Sequence, residues 1–235
     1  MKLQNAINGA RGEVHGRWYE DACAAAFAME LIGERWSLLI ARELMLGPRR
    51  FSDIRAELPG LSAKVLTERL VRLEEIGVLV RRKLPPPAAS QVFELTEWGY
   101  GLEEVMQVLG RWSVRSPLHD PSLPITPTSF LLSLRTMIDS ERAENLEMRA
   151  LFRTPQEMLF ARLTGGELAV ARQPDPVPPA DAEFVAQSLT QFLGVFYGMR
   201  PAAECGVEIT GDTAAAARFV DLFALPPKCP LPGGA

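Results

Sequence analysis

The stretch Leu58-Pro59-Gly60-Leu61-Ser62-Ala63-Lys64-Val65-Leu66-Thr67-Glu68-Arg69-Leu70-Val71-Arg72-Leu73-Glu74-Glu75-Ile76-Gly77 decides the fold. Pro59-Gly60 breaks the chain into a turn. Ser62 is a good N-cap, and Leu66, Leu70 and Leu73 follow at spacings of 4 and 3, one face of a helical period. Gly77 suits the left-handed residue that closes such a helix. The pattern predicts a helix over 62–76. Its other face carries Ser62, Ala63, Lys64, Thr67, Glu68, Arg69 and Arg72, mostly donors and cations that suit base edges and phosphates. Ser52 caps a shorter helix reaching residue 58, and Arg49 and Arg50 just ahead of it are placed to clamp a phosphate backbone. Two helices joined by a tight turn make a helix-turn-helix, whose second helix enters the major groove while the first braces it. The plainer alternative is a solvated charged face, since Arg69 and Arg72 lie near Glu68 and Glu75.

Downstream, Val78-Leu79-Val80 and Val92-Phe93-Glu94-Leu95 read as strands, with Arg81, Arg82 and Lys83 between them where a wing follows an adjacent minor groove. Residues 21–31 and 36–46 read as helices, the second stopped by Gly47-Pro48. A last helix over 98–115 carries Leu102, Val105, Met106, Leu109 and Trp112. Helix, turn, helix and basic hairpin in that order describe a winged helix-turn-helix, and the order favours DNA contact over a merely solvated face.

The runs Leu31-Ile32-Gly33-Glu34-Arg35-Trp36-Ser37, Gly47-Pro48-Arg49-Arg50-Phe51-Ser52-Asp53-Ile54, Leu66-Thr67-Glu68-Arg69-Leu70 and Phe93-Glu94-Leu95-Thr96 resemble the HxlR family of bacterial transcriptional regulators over about residues 20–116. The resemblance implies a winged-helix homodimer on a two-fold-symmetric, double-stranded DNA operator. It implies that the first and last helices build the dimer, here through Phe27, Leu31, Leu102, Val105, Met106, Leu109 and Trp112; packing of the monomer core is the alternative role for the same residues. The wing departs from the family pattern, with Pro85-Pro86-Pro87-Ala88-Ala89-Ser90-Gln91 before its second strand. Cys23 occupies a position that some relatives use to sense oxidants or electrophiles. Its sequence neighbours are alanines, Phe27 and the acids Glu20 and Asp21, which disfavour a thiolate, so a buried structural thiol is expected.

Residues 117–127 are rich in proline and read as a linker after a DNA-binding domain of residues 1–116. A second domain spans 128–225, with helices over 129–139 and 181–198, a hairpin at 158–171, a strand at 207–210 and a helix over 213–223. Residues 226–235 read as a flexible tail. The ending Val207-Glu208-Ile209-Thr210-Gly211-Asp212 … Phe219-Val220-Asp221-Leu222-Phe223 is similar to the close of sterol-carrier-type domains, α/β lipid-binding folds. That resemblance implies a hydrophobic or aromatic small-molecule effector in a pocket of Leu131, Leu134, Phe152, Phe160, Phe184, Phe192, Phe196, Tyr197, Phe219 and Phe223. An aromatic core is the competing reading of those residues. The fold class expected is α+β: a winged helix-turn-helix followed by an α/β sterol-carrier-like domain.

The net charge of −4 over 235 residues argues against nucleic acid until it is divided along the chain. Residues 1–118 carry +1 and residues 119–235 carry −5, while the stretch 49–83 carries +4. No apolar run reaches the roughly 18–20 residues of a membrane span, and no signal-peptide pattern opens the chain. Three scattered cysteines fit a reducing, cytoplasmic setting. The two histidines form no metal-ligand spacing, and the sequence holds no P-loop, no dinucleotide fingerprint and no G-x-S-x-G. No enzymatic activity and no cofactor are expected. Two alternatives to an effector-modulated regulator stand: a thiol redox sensor acting through Cys23, and a small-molecule carrier without DNA readout.

Overall fold

The computed structural model describes residues 19–85 and 90–230. In the first half, α1 (Ala24–Ile32), α2 (Ser37–Leu44), α3 (Phe51–Glu57) and α4 (Ala63–Glu75) precede the wing strands β1 (Leu79–Lys83) and β2 (Gln91–Leu95). The short α5 (Glu97–Tyr100) and the longer α6 (Leu102–Ser113) follow. Leu66, Leu70 and Leu73 of α4 meet Ile40, Leu44 and Ile54 in one buried cluster, the physical reason the leucine spacing holds a helix there. Ser62 Oγ accepts from Val65 N at 3.2 Å, and Gly77 closes the helix at φ +78°. Ser52 does not cap α3. The N-cap is Arg50, whose backbone N–H is received by the Asp53 carboxylate at 3.3 Å. The wing strands run on through Arg81, Arg82 and Lys83, and Arg49 adds a backbone bridge to Phe93.

In the second half, Thr126 caps α7 (Pro127–Met137), with Pro127 in the first turn, where its missing N–H costs nothing. The short α8 (Ser140–Ala143) follows. The sheet is built from β3 (Met148–Arg153), β4 (Met158–Thr164), β5 (Glu167–Arg172), β6 (Ala182–Val185) and β7 (Glu208–Gly211), with α9 (Leu189–Phe196) and α10 (Thr213–Val220). The strand order is β5-β4-β3-β6-β7, and β3 and β6 run parallel while the other neighbours are antiparallel. The helix expected over 181–198 is a strand followed by a helix. Ala182 and Phe184 point inward at a period of two, and Ser188 with Gln191 starts α9 only at Leu189.

The halves are packed together. Leu132 of α7 sits in the DNA-binding half's own core cluster, and Thr126 Oγ1 donates to Glu43 Oε1 at 2.9 Å. Arg172 of β5 donates to Glu57 of α3 at 2.6 Å. The proline-rich segment is therefore spanned by contacts on both sides. The tail expected to be free is fixed as far as residue 230. Lys228 Nζ donates to the carbonyls of Val114 and Ser116 at 2.8 and 3.0 Å, and Cys229 N donates to Arg115 O at 2.7 Å. Val114 is the C-cap of α6, so the first of these bonds satisfies a carbonyl that the helix end leaves open.

Candidate nucleic-acid interface

The outward face of α4 presents Ser62, Lys64, Thr67 and Glu68, with Val71 beside them. Lys64 is the most extended of these, with 86% of its side chain exposed and only a 4.0 Å approach to Glu68. Thr67 Oγ1 donates to Ala63 O, which leaves the hydroxyl oxygen free to accept. On the bracing side Arg50, Ser52 and Arg55 are exposed, and Arg50 Nε donates to Ser90 Oγ at the base of the wing, 3.1 Å away. In the wing, Arg81 lies over the Phe93 ring and pairs with Glu74 at 3.0 Å, Arg82 pairs with Glu94, and Lys83 is exposed. The wing tip at 86–89, where the family departure falls, lies outside the described residues.

Three expected contacts are held elsewhere. Arg72 is only 7% exposed, and its guanidinium is desolvated. That burial lowers its pKa against the pull of Glu75, Glu30 and Glu34, and its Nε has no hydrogen-bond partner. Arg69 turns away from the outward face to Glu34 at 2.5 Å and the Arg35 carbonyl at 3.2 Å. Arg49 is mostly buried and approaches Glu57 at 3.4 Å. All three brace the domain rather than extend from it.

The residues expected at the dimer divide in the same way. Leu31, Leu102 and Met106 pack against the domain core, because they lie on the inward sides of α1 and α6. Phe27, Val105, Leu109 and Trp112 are exposed, and Val108, absent from the expected set, joins them on α6. Cys23 is not buried. It stands exposed at the N-cap of α1, and the backbone N–H groups of Ala26 and Ala25 lower the thiol's pKa. Apolar neighbours in the sequence concealed that helix terminus.

The expected ligand pocket is a filled core. Phe152 and Phe184, opposite each other on β3 and β6, stack at 5.2 Å, and Phe130, Phe192 and Phe196 close around Phe152 at 5.2 to 5.6 Å. Phe219 and Phe223 extend the cluster from the C-terminal end. Leu131 and Leu134 are fully buried in it, whereas Phe160 is buried outside the cluster, on the face of β4 opposite Leu159 and Ala161. Of the ten residues, Tyr197 alone lines a described cavity. Phenyl rings at these separations leave no tunnel between sheet and helices.

A recognition helix with a polar outer face, a bracing helix and a basic hairpin define a winged helix-turn-helix DNA-binding domain. The HxlR-like helix-turn-helix family pattern matches residues 31–118. The chain is 40% identical over 86 residues to the HTH-type transcriptional regulator YodB of Bacillus subtilis (strain 168), covering 37% of this chain and 77% of YodB. It is 37% identical over 86 residues to the uncharacterized HTH-type transcriptional regulator YvaP of the same organism, covering 37% of this chain and 80% of YvaP. A crystal structure of quinone-bound YodB matches with 36% identity and a TM-score of 0.34, over 38% of this chain and 94% of that one. The chain belongs to the HxlR family, the bacterial helix-turn-helix transcriptional regulators, and is a DNA-binding protein.

Proposed function

We propose that this chain is a cytoplasmic homodimer that binds a two-fold-symmetric operator and is tuned by a small apolar effector held by its second half. The observation that carries the DNA reading is the outward face of α4, where Lys64 and Thr67 stand exposed on a helix braced from behind. In this reading Lys64 and Thr67 address the major groove, while Arg82 and Lys83 follow the neighbouring phosphates. The exposed stripe of Val105, Val108, Leu109 and Trp112 on α6 supports a symmetric helix pairing. Two proteins docked through α6 would set the spacing between their recognition helices, and an effector that moves α6 would change it. A coupling of about 1–3 kcal/mol alters operator occupancy roughly 5- to 150-fold. The test begins with duplexes selected from a random library and fluorescence anisotropy at several salt concentrations. A linear fall of log affinity with log salt is expected. Affinity that ignores salt and sequence would leave the carrier reading instead. Sedimentation of the Leu109→Ser/Trp112→Ser variant is expected to show monomer where the wild type shows dimer.

A second reading, thiol sensing, is favoured by the exposed position of Cys23 at a helix N-terminus. The relative YodB has a crystal structure in a quinone-bound form. Operator affinity is compared before and after quinone or diamide treatment. A loss that persists in Cys23→Ser excludes Cys23 as the sensor.

A further inference from the structure

Between α6 and α7 opens a cleft of about 620 Å³, within the roughly 300–1,000 Å³ typical of small-molecule sites. Met106 and Gly110 of α6 form one wall, Leu132 and Ser133 of α7 the other, and Tyr197 stands at the end of α9. Segment 118–126 makes the rim, where Leu118 and Leu123 are 81% and 61% exposed. The charged groups of the cleft walls, Arg42 and Glu103, are each paired with a residue outside the cleft, while Asp120 lies on the open rim. Arg42 holds Glu43 at 2.8 Å, Glu103 holds Arg135 at 3.1 Å and receives Gln107, and Asp120 receives Ser122. A charged ligand against the walls would have to break one of the two ion pairs, so the walls suit a neutral one.

The hydroxyl pair at the back of the cleft specifies more. Ser133 Oγ lies 2.7 Å from both the Phe130 carbonyl and Tyr197 Oη. The serine has one proton, and the carbonyl can only accept. Tyr197 therefore donates to Ser133, and the phenol oxygen keeps lone pairs for an incoming donor. Burial pushes the Tyr197 pKa upward, so the group is a neutral phenol.

We propose that this cleft is a binding site for a neutral, mainly apolar molecule whose single hydrogen-bond donor is received by Tyr197 Oη. It rests on the regulator reading for its purpose: the ligand would lie behind α6, on the side away from the exposed stripe. The site is thus at the junction of the two halves, not inside the phenylalanine core.

The probe is N-phenyl-1-naphthylamine, a neutral aromatic amine with one N–H, followed by its fluorescence on the full chain without DNA. Saturable binding of one molecule per chain is expected. Tyr197→Phe should weaken it about 3- to 10-fold, the size of one neutral hydrogen bond. Gly110→Leu should abolish it, because the first added carbon meets only Thr136 Cγ2 at 3.7 Å and the rest fills the cleft. Should Gly110→Leu fail to fold by circular dichroism, Tyr197→Phe decides alone. No saturable binding, equal binding in both variants, or binding lost only in Leu109→Ser/Trp112→Ser, which would place the probe on the outer stripe, overturns the proposal. The titration needs no operator, so its failure leaves the DNA reading standing, and failed operator binding leaves the site standing.

Discussion

On α4, rotational phase separates cations that reach out from cations that brace. At about 100° per residue, Lys64 and Thr67 lie roughly 100–160° from the leucine stripe, whereas Arg69 lies only about 60° from it. Arg69 therefore meets the α1–α2 turn, and Arg72, about as far from the stripe as the outward residues but on the flank of Arg69, is buried there beside Glu75, Glu30 and Glu34. The helix and its leucines were legible in the sequence. The partners of the arginines were not, because Glu30 and Glu34 lie some forty residues away in the chain. Lys64→Ala is expected to weaken operator binding and to reduce the salt slope by about one, measured by anisotropy. Arg72→Met should leave affinity within about twofold and cost less than about 1 kcal/mol in a urea melt, since it replaces a desolvated, incompletely bonded cation by an apolar chain. Cys23 gives a third outcome at this scale. Its lowered pKa raises the thiolate fraction near neutral pH, so alkylation sets in at lower pH than for a free thiol. Ala25→Pro removes one of the two N–H donors at a position where the first turn tolerates proline. The onset is expected to move to higher pH in a rate profile with iodoacetamide.

Among the elements, β6 was the hardest to read. Its residues Ala182-Glu183-Phe184-Val185 run directly into the apolar helix α9, and the whole stretch mimics one long helix beginning at Asp181. Pairing with β3 decides the matter, and β3 is remote in sequence. Asp181 is not a helix cap. Its carboxylate takes the Arg149 side chain at 2.6 Å and the Arg149 backbone N–H at 2.8 Å, which fastens the start of β6 to β3. The Arg149 hydrogen bond holds the Asp181 pKa below the ordinary carboxylate value. A depressed folded pKa contributes stability that is present above the unfolded value of about 3.9 and is lost as the pH falls through the folded one. Asp181→Asn should therefore melt earlier than wild type at pH 7, and the difference should shrink below about pH 4. A gap that stays constant with pH would remove the ion pair as its cause. The wing and the hairpin of β4 and β5 were more legible, since both strands of each lie close together in the chain.

For the molecule as a whole, Glu57 is the joint between the DNA-binding half and the second half. One carboxylate oxygen receives Arg172 from the sheet at 2.6 Å and Arg49 from the DNA-binding half at 3.4 Å, while Arg172 also holds Glu157 at 2.6 Å. Arg172→Met is expected to lower operator affinity about 3- to 10-fold with an unchanged salt slope, because it unties α3 from the sheet rather than removing a phosphate contact. Adding it to Arg49→Met should cost little more than Arg49→Met alone in a double-mutant cycle. Full additivity would mean that the two arginines act separately. The proline-rich segment and the division of charge were legible in the sequence. The docking of the parts was not, because it depends on single residues such as Arg172 and Thr126 that no periodicity marks.

Leu132 carries a consequence for modularity. It is a residue of the second half that completes the hydrophobic interior of the first. A gene cut at the proline run would yield a DNA-binding fragment with a leucine-sized hole, a defect of about 2–5 kcal/mol by analogy with leucine-to-alanine truncation. A family member with no second half must plug that hole with its own chain. Leu132 thus ties the two halves into one interior, and a graft of the second half onto another reading head would have to rebuild that contact.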